Sequence, residues 1–320
     1  MKKRIISLLL AALVLLTLFS ACQDPAPVTP LPLGDAPVFK DENFERLIRE
    51  TLDKPEGDVT REDMAAITQL RGIRVDISDI SGIEYCINLT SLVLSENQIS
   101  DLLPLAGLTE LDGIWLDVNR ISDLRPLAGL KKLDKLLIGN NRISDLRPLA
   151  DLTSLTVLWL ESNRIRDLRP LAGLTSLTDL GLDRNQIRDI SPLAGLTLLT
   201  ALDVRSNQIG DISALAGMTS LTFITLRDNQ ISDIRALSGM TELRELYLSD
   251  NRISDVSPLA GLPELWLLNL ESNQISDIHP LAELPSLSML YLLGNPFTDW
   301  SPVAHVGYVE GRPEYTGNIR

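Results

Sequence analysis

The sequence predicts an α/β solenoid: a right-handed coil with one short strand per turn, the strands stacked in a parallel sheet, short helical turns on the opposite side, and an α-helical N-terminal cap. Three observations predict it. Ten asparagines, Asn97, Asn119, Asn141, Asn163, Asn185, Asn207, Asn229, Asn251, Asn273 and Asn295, stand 22 residues apart without a slip. A period of that size marks units whose apolar face only the next unit can cover. Seven positions per unit are apolar in nearly every copy: eight, five and three before the Asn, and two, five, eight and eleven after it. Finally, the stretch from five to three before the Asn alternates in and out, as a strand buried on one side should.

Within a unit, each column has a physical role. Leucine fills the position eight before the Asn from Leu89 to Leu287, and isoleucine fills the position two after it from Ile99 to Ile275, so like side chains stack into ladders. An Asn turned inward where the chain leaves the strand can satisfy backbone groups that no strand partner reaches. Four residues later an Asp recurs from Asp101 to Asp299, followed at most +7 positions by a proline such as Pro126 or Pro170. Asp then Pro reads as a capped, tight helical turn. Each of these carboxylates is needed at its own turn, so no bound metal is expected. The resulting pattern, L-x-x-L-x-L-x-x-N-x-I-x-D-[IL]-x-P-L-A-x-L, resembles the leucine-rich repeat of the bacterial internalin type over about residues 67–309. That resemblance implies a leucine-rich-repeat solenoid with a concave sheet, on a surface-associated protein that binds other macromolecules.

In chain order, Lys2, Lys3 and Arg4 precede the apolar run from Ile5 to Phe19, which has the charge and length of a secretory signal. It closes on Leu18-Phe19-Ser20-Ala21-Cys22, which resembles a lipobox and implies residues 1–21 as leader and a lipidated Cys22 as membrane anchor. Residues 22–36 contain Pro25, Pro27, Pro30 and Pro32 and read as an extended, semi-rigid tether. In the cap, residues 37–66, Phe44, Leu47, Ile48 and Leu52 share one helical face behind a capping Asp41. A second helix opens on Thr60 and Asp63, with Val59 placed to staple Met64. The acidic loop between the helices lacks calcium-binding spacing, because Pro55 and Gly57 occupy ligand positions. Repeats fill residues 67–295. In residues 296–320 the period persists through Trp300, Val303, Val306 and Val309, but Arg312 stands where the next strand leucine belongs, so the solenoid is expected to stop there.

Composition narrows the partners. Removing the leader's three basic residues takes the formal net charge from -14 to -17, a balance that disfavours nucleic acid. Cys86 falls in a column filled elsewhere by Leu or Met and reads as a buried hydrophobe. The only histidines, His279 and His305, sit on turn positions near the C-terminal end, too few for a catalytic triad or a metal cluster. The best carboxylate pair, Asp179 with Asp203, lies on an open sheet expected to lack the burial that tunes such pairs. A monomeric protein without enzymatic activity or cofactor is therefore expected.

Recognition falls to the columns six, four and two before each Asn, which point out of the concave sheet. From these, Trp115, Trp159, Asp183, Asp203, Arg205, Arg227, Tyr247 and Tyr291 form the candidate ligand-binding surface. Exposed Trp and Arg are typical interface anchors, although aromatics also shield neighbouring strands. A protein ligand is the first expectation and a glycan the second, with an envelope scaffold as the rival role. On the adjacent edge Arg120, Arg142 and Arg164 follow their Asn directly, and Arg125, Arg147 and Arg169 stand six after it. Stacked like charges repel unless acids intervene; the Asp column and Glu161 are expected to supply them. The same edge is a candidate docking patch for an acidic partner.

Overall fold

The computed structural model describes residues 28–30, 34 and 36–312. The expected leader, Cys22, most of the Pro-rich stretch and residues 313–320 lie outside the described residues. Twelve strands of three residues each form one parallel sheet in strict chain order. They are β1 (Gln69–Arg71), β2 (Ser91–Val93), β3 (Gly113–Trp115), β4 (Lys135–Leu137), β5 (Val157–Trp159), β6 (Asp179–Gly181), β7 (Ala201–Asp203), β8 (Phe223–Thr225), β9 (Glu245–Tyr247), β10 (Leu267–Asn269), β11 (Met289–Tyr291) and β12 (Tyr308–Glu310). The register follows the repeat, Leu136 pairing with Leu158 and Leu158 with Leu180. Those central leucines are completely buried or nearly so, and with the other repeated apolar columns they form one core running the length of the coil.

The opposite side of each coil carries a 3-10 turn of three to five residues, from Ile83–Tyr85 to Ser301–Val303. Proline at the first positions suits such a turn, because its fixed φ matches and its missing N–H has no partner to lose. The Asp column does what its spacing predicts. Asp101 Oδ1 accepts the N–H of Leu103 (2.8 Å), Asp123 that of Arg125 (2.9 Å), and the pattern repeats to Asp299 and Ser301 (2.8 Å).

The asparagine ladder has a definite wiring. Asn163 Nδ2 reaches the carbonyls of Leu160 (3.1 Å), Glu161 (3.3 Å) and, in the coil before, Ile138 (3.2 Å), while its Oδ1 accepts the N–H of Ile143 (2.9 Å). Each Asn thus joins two coils where the sheet ladder ends. The residue before each Asn takes positive φ, from Glu96 (59°) through Val118 (57°) to Ser272 (52°), which turns the chain off the sheet.

Over the first coil sits a helix, Glu42–Thr51, with Phe44 and Ile48 fully buried. Asp41 Oδ1 accepts the N–H of Asn43 and Phe44, and its Oδ2 accepts that of Ser78 (2.7 Å), tying the cap to the coil beneath. The second helix, Arg61–Ala65, opens on the Thr60–Asp63 capping box, with Val59 and Met64 both buried. Pro30 packs against Gly107 and Gly34 lies near the Tyr85 hydroxyl, so these two residues lie along the turn side.

At the far end the structure corrects the sequence expectation. The register partners Met289 and Tyr308 are 19 residues apart, against 22 elsewhere. This shorter coil brings Val309, not Arg312, opposite Leu290, and Val309 is fully buried. Both registers place an apolar residue at position 309, so the period alone did not distinguish them.

Candidate ligand-binding face

The concave face presents alternate residues along and just past each strand, and three of them are glycines that seat neighbouring side chains. The Trp115 indole lies over Gly113, filling the place of a side chain there. The Glu161 carboxylate occupies the corresponding space at Gly139, and the Trp159 indole lies against Gly181 of the next strand. Neither Trp enters the core: Trp115 is half-buried and Trp159 is 45% exposed.

Between Trp159 on β5 and Phe223 on β8 lies a cleft of about 280 Å³, with Gly181 and Ala201 between its walls and Glu161, Asp179, Asp183, Asp203 and Arg205 around it. Arg205 Nε stands 3.3 Å from Asp183 Oδ2 and 3.5 Å from Asp203 Oδ2, bridging two coils. Asp183 is only 4% exposed. It therefore departs from the expectation of a side chain pointing out of the concave sheet toward a ligand, because Arg205 of the next coil lies against it.

Burial also tunes the other acids, which the sequence reading did not expect of an open sheet. Asp203 is pushed up to about 6, first by burial and then by the Asp183 charge, against the lowering pull of its hydrogen bond from the Arg205 N–H and the Arg205 charge. Burial likewise raises Glu161, with Asp117, Asp183 and Asp203 adding to the effect, and Glu161 Oε2 has no hydrogen-bond partner. Asp117 is raised by burial while its Oδ1 accepts the Gly139 N–H at 2.9 Å.

Four of the eight candidate residues, Trp159, Asp183, Asp203 and Arg205, converge on this cleft. Tyr247 adjoins it by packing on Phe223, ring centres 5.8 Å apart, and its hydroxyl donates to Glu245 at 3.1 Å. That hydrogen bond and burial push the phenol up to about 12, burial being the larger cause. Trp115 and Tyr291 lie outside the cleft, Tyr291 packed on Tyr308 with ring centres 5.7 Å apart. Arg227 is turned toward Asp250, 3.2 Å away. Glu161, Phe223 and Gly181 complete the cleft but were absent from the sequence-derived set. A glycine beside a tryptophan in the same concave column was the available signal.

The edge arginines divide into two sets: among the described residues Arg120, Arg142 and Arg164 have no carboxylate within ion-pair distance, contrary to expectation, whereas the column six after the Asn is paired. Arg125, Arg147, Arg169 and Arg235 each grip the Asp two residues earlier with two nitrogens, as at Arg125 with Asp123 (2.6 and 2.9 Å). Glu161, expected to share that compensation, forms no ion pair among the described residues and lies over Gly139 instead. Cys86 is fully buried, and burial pushes its thiol up to about 12. Among the described residues no helix is long and apolar enough to cross a membrane.

Leucine-rich-repeat family models match residues 87–129, 131–173, 153–195 and 219–263, and a second such model matches 175–231 and 242–297. No curated protein sequence matches the chain. Among solved structures, internalin InlF from Listeria monocytogenes is 32% identical with a TM-score of 0.79, the alignment covering 87% of this chain and 98% of that one. Internalin C2 from the same organism is 33% identical with a TM-score of 0.52, covering 85% and 100%. InlJ, also from Listeria monocytogenes, shares the fold at 23% identity and a TM-score of 0.69, over 85% and 66%. With an asparagine-laddered coil, a helical cap and these likenesses spanning most of its length, the chain belongs to the internalin-type bacterial leucine-rich-repeat proteins.

Proposed function

We propose that this chain is an exported, surface-exposed binding protein, lipid-anchored through Cys22, that takes a protein ligand on its concave face. The observation that supports it most is the Trp159 cleft. A large indole 45% exposed at the centre of a rigid sheet, beside a bridged Arg205 and partly buried carboxylates, has the composition of an interface anchor. The repeated columns leave no slack in the scaffold, so a ligand meets a preformed surface and little binding free energy goes into ordering it. Related folds support the polypeptide reading: the plant receptor RGFR1, 24% identical with a TM-score of 0.64, has been solved in complex with the peptide hormone RGF2. Internalin-type repeats serve as binding scaffolds, and the carboxylates here act in that reading as charge complements, with no catalytic step.

Affinity capture from envelope and host extracts tests it. Wild-type chain retains a protein that the Trp115→Ala, Trp159→Ala, Tyr247→Ala triple variant loses; equal retention by both would remove the concave face as the recognition surface. Recovery of a glycan in place of a protein would shift the ligand class. The anchor is tested separately by labelling cells with a clickable fatty acid, which should mark the wild-type chain and not Cys22→Ser.

A further inference from the structure

The strongly acidic chain carries a confined basic surface beside the concave cleft, Arg184 at its border lining a hollow with Arg205. It lies where coils leave the sheet for the turn side, at the positions from one before to three after each Asn. In the four consecutive coils of Asn119, Asn141, Asn163 and Asn185 those positions hold Arg120, Arg142, Arg164, Arg166, Arg184 and Arg188, and not one acid. All six are exposed. Among the described residues none lies within ion-pair distance of a carboxylate, although four other arginines grip the Asp column alongside. Acids return on both flanks: Glu96 in the preceding coil, paired with Arg74, and Asp228 and Asp250 beyond.

The arginines are held in register. Arg120 N–H donates to Ile99 O, Arg142 to Ile121 O and Arg164 to Ile143 O, each at 2.8 Å, so the backbone ladder extends into this edge and places the three side chains one coil apart, about 4.8 Å. Arg166 and Arg188 are further oriented by Gln186 and Gln208 of the next coils, at 2.6–2.9 Å. Leaving stacked cations unpaired costs electrostatic free energy, and the same scaffold shows how to avoid it: most other coils carry glutamine in the Arg120 column, Gln98, Gln186, Gln208, Gln230 and Gln274, and the one further arginine there, Arg252, has glutamine in the coil on either side.

We propose that this edge is a second binding site, for a linear polymer bearing sulfate or phosphate groups. A guanidinium matches such oxyanions with two parallel hydrogen bonds, and a regular ladder matches a repeating chain. The surroundings favour that occupant over an acidic protein. Apart from Val118 the patch offers Ser122, Asn140, Ser144, Ser162 and amide side chains, with no apolar centre of the kind protein interfaces need.

Salt-dependent binding of the full chain to a size-defined heparin oligosaccharide and to inorganic polyphosphate tests this. Two triple variants remove equal charge, each copying residues native to other coils. One is Arg120→Gln, Arg142→Gln, Arg164→Gln; the other is Arg125→Ser, Arg147→Ser, Arg169→Ser, on the Asp-paired column. The first should weaken binding about tenfold or more and lower the log–log salt slope by about two, at roughly 0.7 per lost contact; the second should change affinity less than threefold or so. Binding of heparin alone identifies sulfate, and of polyphosphate alone phosphate, as the preferred group. Equal weakening by both triples, no binding of either polymer, or tighter binding of polyglutamate would overturn the proposal.

Discussion

Two sets of acids on this molecule share one residue chemistry and one 22-residue frame, yet their protons are held in opposite ways. On the turn edge Asp123, Asp145, Asp167 and Asp233 lie below the ordinary carboxylate value, Asp233 down to about 2, because arginine side chains and backbone N–H groups bind the charged form. On the concave face Asp117, Glu161 and Asp203 lie above it, because burial penalises the charge and few donors answer it. The first set belongs to a column that repeats in every coil and closes its own hydrogen bonds. The second varies from coil to coil and leaves bonding capacity open. Repetition marks what holds the coil together, and variation marks what remains free for a partner.

The sharpest way to break that contrast is to remove a repeated residue. Asn163→Ala leaves the Ile143 N–H and the Ile138 and Leu160 carbonyls without their side-chain partner in a buried setting, and should destabilise the chain by about 3 kcal/mol in chemical denaturation. A smaller effect of opposite sign is expected one column earlier. Val118 is β-branched at φ 57°, where Asn140 stands in the next coil, so Val118→Asn should raise stability by about 1 kcal/mol. Loss of one exposed cap, Asp145→Ala, should reduce stability by about 0.5 kcal/mol in the same measurement, the Arg147 pair contributing little through solvent.

The subtlest effect concerns pH. Asp203 is near 6 in the folded chain and near its ordinary 3.8 when unfolded, so between those values the folded state binds more protons. Its contribution therefore falls as pH rises from about 4 to about 6. The turn aspartates are held below their ordinary 3.8 and run the other way, losing their contribution as pH falls beneath that value, Asp233 toward about 2. Thermal unfolding across pH should show the melting temperature rising as pH falls from 7 toward 5; Asp203→Asn should flatten that limb and leave the acid limb intact.

Most of the coil was legible in the sequence because every column is written ten times, and a buried ladder tolerates few residue types. The Asn wiring, the Asp-capped turns, the capping box of the second helix and buried Cys86 all follow from spacing and side-chain chemistry. What spacing could not convey is how unlike neighbours fit together. Asp183 is buried because Arg205, one coil on, folds over it, and Glu161 turns aside because Gly139 leaves it room. Val309 suits either of two registers, so only the packing of the last coil chooses the shorter one. Cleft residues such as Phe223 likewise emerge from the juxtaposition of four strands.

The division between repeated and varied columns is tested most directly by measuring melting temperature and ligand capture on Asn163→Ala and Trp159→Ala side by side. Trp159→Ala should abolish capture while melting within about a degree of wild type, since its indole leaves no core cavity, and Asn163→Ala should melt several degrees lower yet capture normally below its transition. Full capture by Trp159→Ala, or a wild-type melting curve for Asn163→Ala, would contradict that division.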